Sequence, residues 1–279
     1  MSFEGDVIFC RTTFVIFLTK NLKNNKHYNN IQKGLFMIEK MLKNMDPADL
    51  LNALMNDNTL ASEFDRLDLW HKLYSISWSH LLKTQPHFID KAKEYSHGWA
   101  GLLAIKPDLA QECKCWQEFD SLDWVDLLRF QPQFANKCKK WNKFDGWNWR
   151  DLLKSQPQFT DKCNEYNGWE KMDSRNWFKL LYAHPQFADK CNKWNEFDEW
   201  HWSILLSKQP QFADKCDMWH EFNYYNWEYL LSDQPQLADK CDEYNGWEKM
   251  DSRVRSTLRR RINKFKKIPN SETSKLDKI

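Results

Sequence analysis

The chain has 279 residues, a net charge of only +2 and 15% aromatic residues, with 16 tryptophans against seven glycines. That length can bury a sizeable core as one or two units, and the near-neutral charge argues against a protein that binds polyanion along its whole length. So many indoles are costly to leave in water and must pack against one another or against a partner.

Residues 1–57 read as an N-terminal segment and cap. Residues 7–18 are apolar but broken by Arg11, and they fall short of the roughly 20 residues that a spanning helix takes. They follow Glu4 and Asp6 in place of a basic stretch, so neither a membrane span nor a secretory signal is expected. Residues 1–36 match nothing downstream and are expected to be poorly ordered or outside the native product. Met37-Ile-Glu-Lys opens a fresh helical pattern and reads as an alternative start.

Residues 58–252 form a tandem array. Prolines at 86, 107, 132, 157, 185, 210 and 235 are 21, 25, 25, 28, 25 and 25 residues apart, and that periodicity decides the fold. Eight residues before each proline stands a tryptophan: Trp78, Trp99, Trp124, Trp149, Trp177, Trp202 and Trp227. A Leu-Leu pair follows, so Trp, Leu and Leu at i, i+3 and i+4 make the apolar stripe of a first helix. After the proline come Phe or Leu two residues on, Cys six on in all but the first copy, and Trp or Tyr nine on. These fall at i, i+4 and i+7 and predict a second helix that opens on the proline, whose missing N–H costs nothing at a helix start. Asp120, Asp145 and Asp198, thirteen residues after their prolines, are expected to cap the next first helix.

A worn copy begins at Asn58, with Trp70 and Trp78 aligning with Trp169 and Trp177. Residues 166–175 are identical to residues 244–253, 78 positions apart, which implies duplication of a three-repeat block. Beyond Arg253 the pattern decays: Arg255 takes the tryptophan slot and Asn263 the proline slot. Residues 253–268 then read as a basic amphipathic cap helix and residues 269–279 as a disordered tail. From 253 onward the net charge is +8, which leaves −6 on the rest of the chain. The expected fold is all-α: an elongated α-solenoid of about eight short helix-turn-helix repeats with atypical caps.

Six of the eight cysteines occupy one repeat position. Stacked helices lie about 10 Å apart and a disulfide needs Cα atoms within about 7 Å, so bridging is not expected and a reducing cytoplasm is the natural home. The pair Cys113-x-Cys115 reads as packing, because no Cys-x-x-Cys or clustered His completes a zinc site. No Gly-rich phosphate loop, His-Glu-x-x-His motif or recurrent carboxylate pair is present; neither enzymatic activity nor a cofactor is expected.

The string Trp-x-x-Leu-Leu-x-x-x-Pro-Gln-Phe-Ala-Asp-Lys-Cys-x-x-Trp at residues 202–219 resembles a tryptophan-rich tandem repeat of uncharacterised bacterial proteins. The likeness covers residues 58 to about 250 and carries no activity. Function is then sought where copies differ, at seven, six, three and two residues before the proline, off the apolar stripe. The protein-binding face expected there includes Arg129, Phe130, Arg150, Lys154, Phe178, Lys179, Tyr182, Ile204, Lys208 and Tyr229, with exposed aromatics as anchors. The leading reading is a non-enzymatic scaffold for a protein partner. A second is nucleic-acid contact through Arg253, Arg255, Arg259, Arg260, Arg261 and Lys264. A third is a structural, self-assembling repeat protein.

Overall fold

The computed structural model describes the backbone of residues 28–266 and the side chains of residues 36–266. The expectations for the apolar stretch 7–18 and the tail 269–279 lie outside the described residues. Among those described, every regular element is a helix, and no helix is long and apolar enough to cross a membrane. The first helix, Tyr28–Asn44, runs through Met37 without a break. The chain divides into two compact units, the first ending at Lys143 and the second beginning at Phe144. In each, short helices pack on their neighbours in chain order, an all-α solenoid arrangement.

Seven helices carry the repeat: Ser75–Thr84, Ser96–Ile105, Ser121–Phe130, Gly146–Ser155, Ser174–Ala183, Glu199–Lys208 and Tyr224–Asp233. Each is 10 residues long. Local chemistry sets both ends. At the start, the side chains of Asp120, Asp145, Asp173, Asp198 and Asn223 accept a hydrogen bond from the backbone N–H three residues on, satisfying a donor that the helix leaves unpaired. At the end, the residue before proline is forced out of the helical region by the pyrrolidine ring; Gln131, for example, sits at φ −133° and ψ 70°.

After the proline the structure departs from the expected second α-helix. Residues 132–137, 185–190 and 210–215 wind as 3-10 helices, after which Cys138, Cys191 and Cys216 are extended. A further three-residue 3-10 turn starts at Trp141, Trp194 and Trp219. Where the spacing widens to 28 residues, a short α-helix does form, at Thr160–Glu165 and, in the matching block, at Ala238–Glu243. The extra residues close it with Asn167 and Asn245, at φ 52° and 53°, the left-handed conformation that asparagine tolerates well. Gly246 follows because nothing larger fits: a Cβ there would lie 2.7 Å from Trp227 Nε1 and from Cys241 Sγ.

The repeats of Trp78, Trp124, Trp177, Trp202 and Trp227 each close on an aromatic cluster. Trp194 stacks on Trp202, 5.6 Å between centroids and 15° between planes. Phe197 packs against both indoles at 5.5 Å, and Phe212 tilts onto Trp194 at 5.3 Å. The same stacked pair recurs eight residues apart as Trp70–Trp78, Trp116–Trp124, Trp169–Trp177 and Trp219–Trp227, at 5.4 to 5.8 Å. The helix member of each pair is at most 1% exposed. At about 25 cal/mol per Å2 over about 200 Å2, each such indole contributes about 5 kcal/mol before entropy.

Between repeats the seam is polar as well as apolar. The residue before proline reaches back to a carbonyl near the end of the preceding repeat's helix. Gln131 Nε2 donates to Ala104 O at 2.9 Å, Gln209 to Tyr182 O at 3.1 Å and His184 Nε2 to Lys154 O at 2.8 Å, and Gln234 donates to Ser207 O at 2.5 Å. The glutamine after the proline steadies this arm, as Gln211 does by donating to Gln209 Oε1 at 2.9 Å. The Gln-Pro-Gln string therefore satisfies carbonyls that a helix end leaves unpaired.

Truncating one indole removes a cluster rather than a single contact. Trp202→Ala is expected to cost about 3–5 kcal/mol and to lower the melting temperature by about 10–15 °C; thermal unfolding followed by circular dichroism checks it.

Candidate functional site

With Trp, Leu and Leu turned inward at eight, five and four residues before the proline, the opposite side of each helix comprises positions ten, six, three and two before it. These are spaced i, i+4, i+7 and i+8, one face of an α-helix. The outward positions hold large aromatics that the repeat does not need for its core. Trp147 is 43% exposed, Tyr182 37%, Trp200 54%, Tyr225 65% and Tyr229 47%, all in the second unit. In the first unit Leu122 and Phe130 are outward, at 49% and 46%.

The face chosen from sequence variation is partly corrected. Position seven, which includes Arg150 and Phe178, turns inward, and Ser79, Val125, Arg150, Phe178 and Ser203 are all buried. It lies three residues before the second leucine and so falls on the same side of the helix. Phe178 packs at 5.5 Å from Trp200 and edge-on to His201 at 5.0 Å. Arg150 salt-bridges Asp151 at 2.6 Å, donates to Asn176 Oδ1 at 3.3 Å, and lies 4.2 Å over the Trp147 ring. Lys154, Lys179, Tyr182, Lys208, Tyr229 and Phe130 are exposed, while Ile204 and Arg129 are half-buried. Lys179 Nζ lies 5.6 Å from the centre of the same Trp147 ring.

Position ten escaped the sequence comparison, although Trp147, Trp200 and Tyr225 each stand two residues before a buried tryptophan. A recurring aromatic five residues before that tryptophan also went unread. Phe119, Phe144, Phe197 and Phe222 are at most 2% exposed and back the indole stack.

The basic cap forms as a helix, Ser252–Lys266, anchored inward by Leu258 and Ile262. Arg253, Arg259, Arg260, Arg261 and Lys264 are exposed. Arg255 is half-buried; its Nη2 donates to Met250 O at 3.0 Å. Arg259 lies 5.0 Å over Trp247. Among the described residues, none of the five exposed cations forms an ion pair.

One polar cluster has metal-ligand chemistry: His97, Asp120 and Asp123. Its atoms are engaged in capping, since His97 Nδ1 meets Asp123 Oδ1 at 2.8 Å and Asp120 and Asp123 exchange side-chain to backbone bonds. The Asp123 hydrogen bond holds the His97 imidazole above its usual range. Burial pushes the neighbouring Asp126 carboxyl up, against a hydrogen bond from Ser75.

No protein-family model matches this chain, nor does any curated protein or solved structure.

Because the folded-state pKa of His97 is raised, the stabilisation from its charged form is fully present below the unfolded value of about 6.5 and is lost as pH rises through the folded value. His97→Gln keeps a neutral donor and removes the charge, together with a pH-independent edge contact to Tyr74 that the comparison of two pH values cancels. It should therefore cost about 1 kcal/mol more at pH 5.5 than at pH 9, read by urea unfolding at the two pH values.

Proposed function

We propose that this chain is a non-enzymatic scaffold that binds a protein partner through the outward stripe of its repeat helices, centred on the second unit. The observation that supports this most is the set of Trp147, Tyr182, Trp200, Tyr225 and Tyr229, each more than a third exposed in a fold that buries Trp149, Trp177, Trp202 and Trp227 on the same helices. Large aromatics on one outward face are the side chains that anchor protein interfaces. Lys154, Lys179 and Lys208 interleave with them, which suits a partner segment carrying acidic as well as apolar groups. Kinship with the bacterial tryptophan-rich repeats is likewise our proposal, resting on the repeat string alone.

Nucleic-acid binding through the Ser252–Lys266 helix is the second reading. Its support is the exposed run of Arg253, Arg259, Arg260, Arg261 and Lys264, where among the described residues of the helix only Lys266 meets a carboxylate, Asp239 at 3.6 Å; such a run is the footprint of phosphate contact.

The test is affinity capture from the native cell by the full chain and by a Trp147→Ser, Trp200→Ser, Tyr229→Ser variant, with and without nuclease. The scaffold reading predicts at least a tenfold loss of the captured protein by a variant with an unchanged melt, and no effect of nuclease. Equal capture by the folded variant would remove it, and loss on nuclease treatment would transfer the activity to the basic helix.

A further inference from the structure

Cys113 and Cys115 stand out in the array as two thiols only two residues apart. Cys163, Cys216 and Cys241 are buried, and burial raises each thiol to about 12, while buried Cys191 is raised to about 11. Cys113, like Cys138, Cys191 and Cys216, follows a 3-10 helix in a stretch without helix, and Cys115 lies two residues on, before the turn at residues 116–118. Their sulfurs are 3.7 Å apart in a thiol hydrogen bond. Cys113 is 6% exposed, whereas Cys115 is half-exposed and lines an open cleft with Lys93, Trp99, Lys114 and Glu118.

We propose that Cys113 and Cys115 form a reversible redox site, closing to an internal disulfide when a small-molecule disulfide of the glutathione class reaches the cleft.

The thiol hydrogen bond holds Cys113 below its usual range and raises Cys115, which makes the Cys113 thiolate the base for the Cys115 proton. When it passes to Cys113, the Cys115 thiolate attacks one sulfur of the incoming disulfide. That bond breaks, one small thiolate leaves, and a mixed disulfide remains on Cys115. Cys113, stripped of its proton, then attacks Cys115 Sγ and expels the second small thiolate. Two protein thiols are oxidised and one small disulfide is reduced to two thiols: the first departing thiolate takes the proton held by Cys113, and the second takes one from solvent, replacing that released when Cys113 ionised. Cys115 is the entry sulfur because it lines the cleft; Cys113 resolves because it waits behind it. A bridge across so short a stretch is strained and thus readily reduced. It would also pull directly on Trp116, which stacks on Trp124 at 5.8 Å.

The experiment treats the reduced full chain with glutathione disulfide, denatures it, blocks remaining thiols with maleimide and maps the peptides by mass spectrometry. The wild type should carry the internal Cys113–Cys115 link, restored to thiols by dithiothreitol, with Cys163, Cys191, Cys216 and Cys241 blocked by maleimide. Cys113→Ser should instead accumulate a glutathione adduct on Cys115, and Cys115→Ser should leave Cys113 at least tenfold less modified. A wild type that stores the adduct on Cys115 without closing, or that leaves both residues as thiols while the buried cysteines react equally or not at all, overturns the proposal.

Discussion

Two indoles laid face to face, one in a loop and one on a helix eight residues later, set the geometry of the repeat. The loop indole must lie flat on the helix indole, so the chain between them has to turn through a capped helix start, where Asp198 or its counterparts accept a backbone hydrogen bond. Phe197 fills one edge and Phe212 the other. The order of elements within a repeat follows from keeping that cluster dry. Stacking offsets a real cost, because the buried indole N–H groups of Trp78, Trp124, Trp177, Trp202 and Trp227 have no acceptor among the described residues.

Packing a helix by so local a cluster leaves its far side uncommitted. Ten-residue helices bury one stripe and present the other, and side-chain arms at the helix ends join the repeats alongside their apolar packing. The outward positions can vary without disturbing the stack. At the position of Trp200 and Tyr225 the preceding repeat carries Arg175, so the fold accepts a cation there. That freedom is the physical basis of the proposal that a partner docks on this face.

The helix class and the inward residues were legible in the sequence because burial at a period of 25 residues repeats one local solution. The N-caps were legible because Asp and Asn act on backbone only three residues away. The winding after the proline was not. Spacings of four and seven fit a second helix, yet Cys138, Cys191 and Cys216 leave it in extended conformation, and apolar spacing over so few residues does not distinguish three residues per turn from 3.6. Variation between copies also misled at position seven. Phe178 and Arg150 differ from Val125 and Ser203 because each fits a different neighbouring helix, so variability there reports packing rather than exposure. The Gln-Pro-Gln arms were unreadable for a different reason: their acceptors are carbonyls 27 residues back, as in Gln131 to Ala104, and nothing in the composition of a short string announces a partner that distant.

The account turns on whether the paired indoles hold each other or merely share a core. A double-mutant cycle with Trp194→Leu and Trp202→Leu, singly and together, measures that coupling by denaturant unfolding. Direct stacking predicts that the double variant is less destabilised than the sum of the single variants by about 1 kcal/mol or more. Strict additivity, within about 0.3–0.5 kcal/mol, would contradict it.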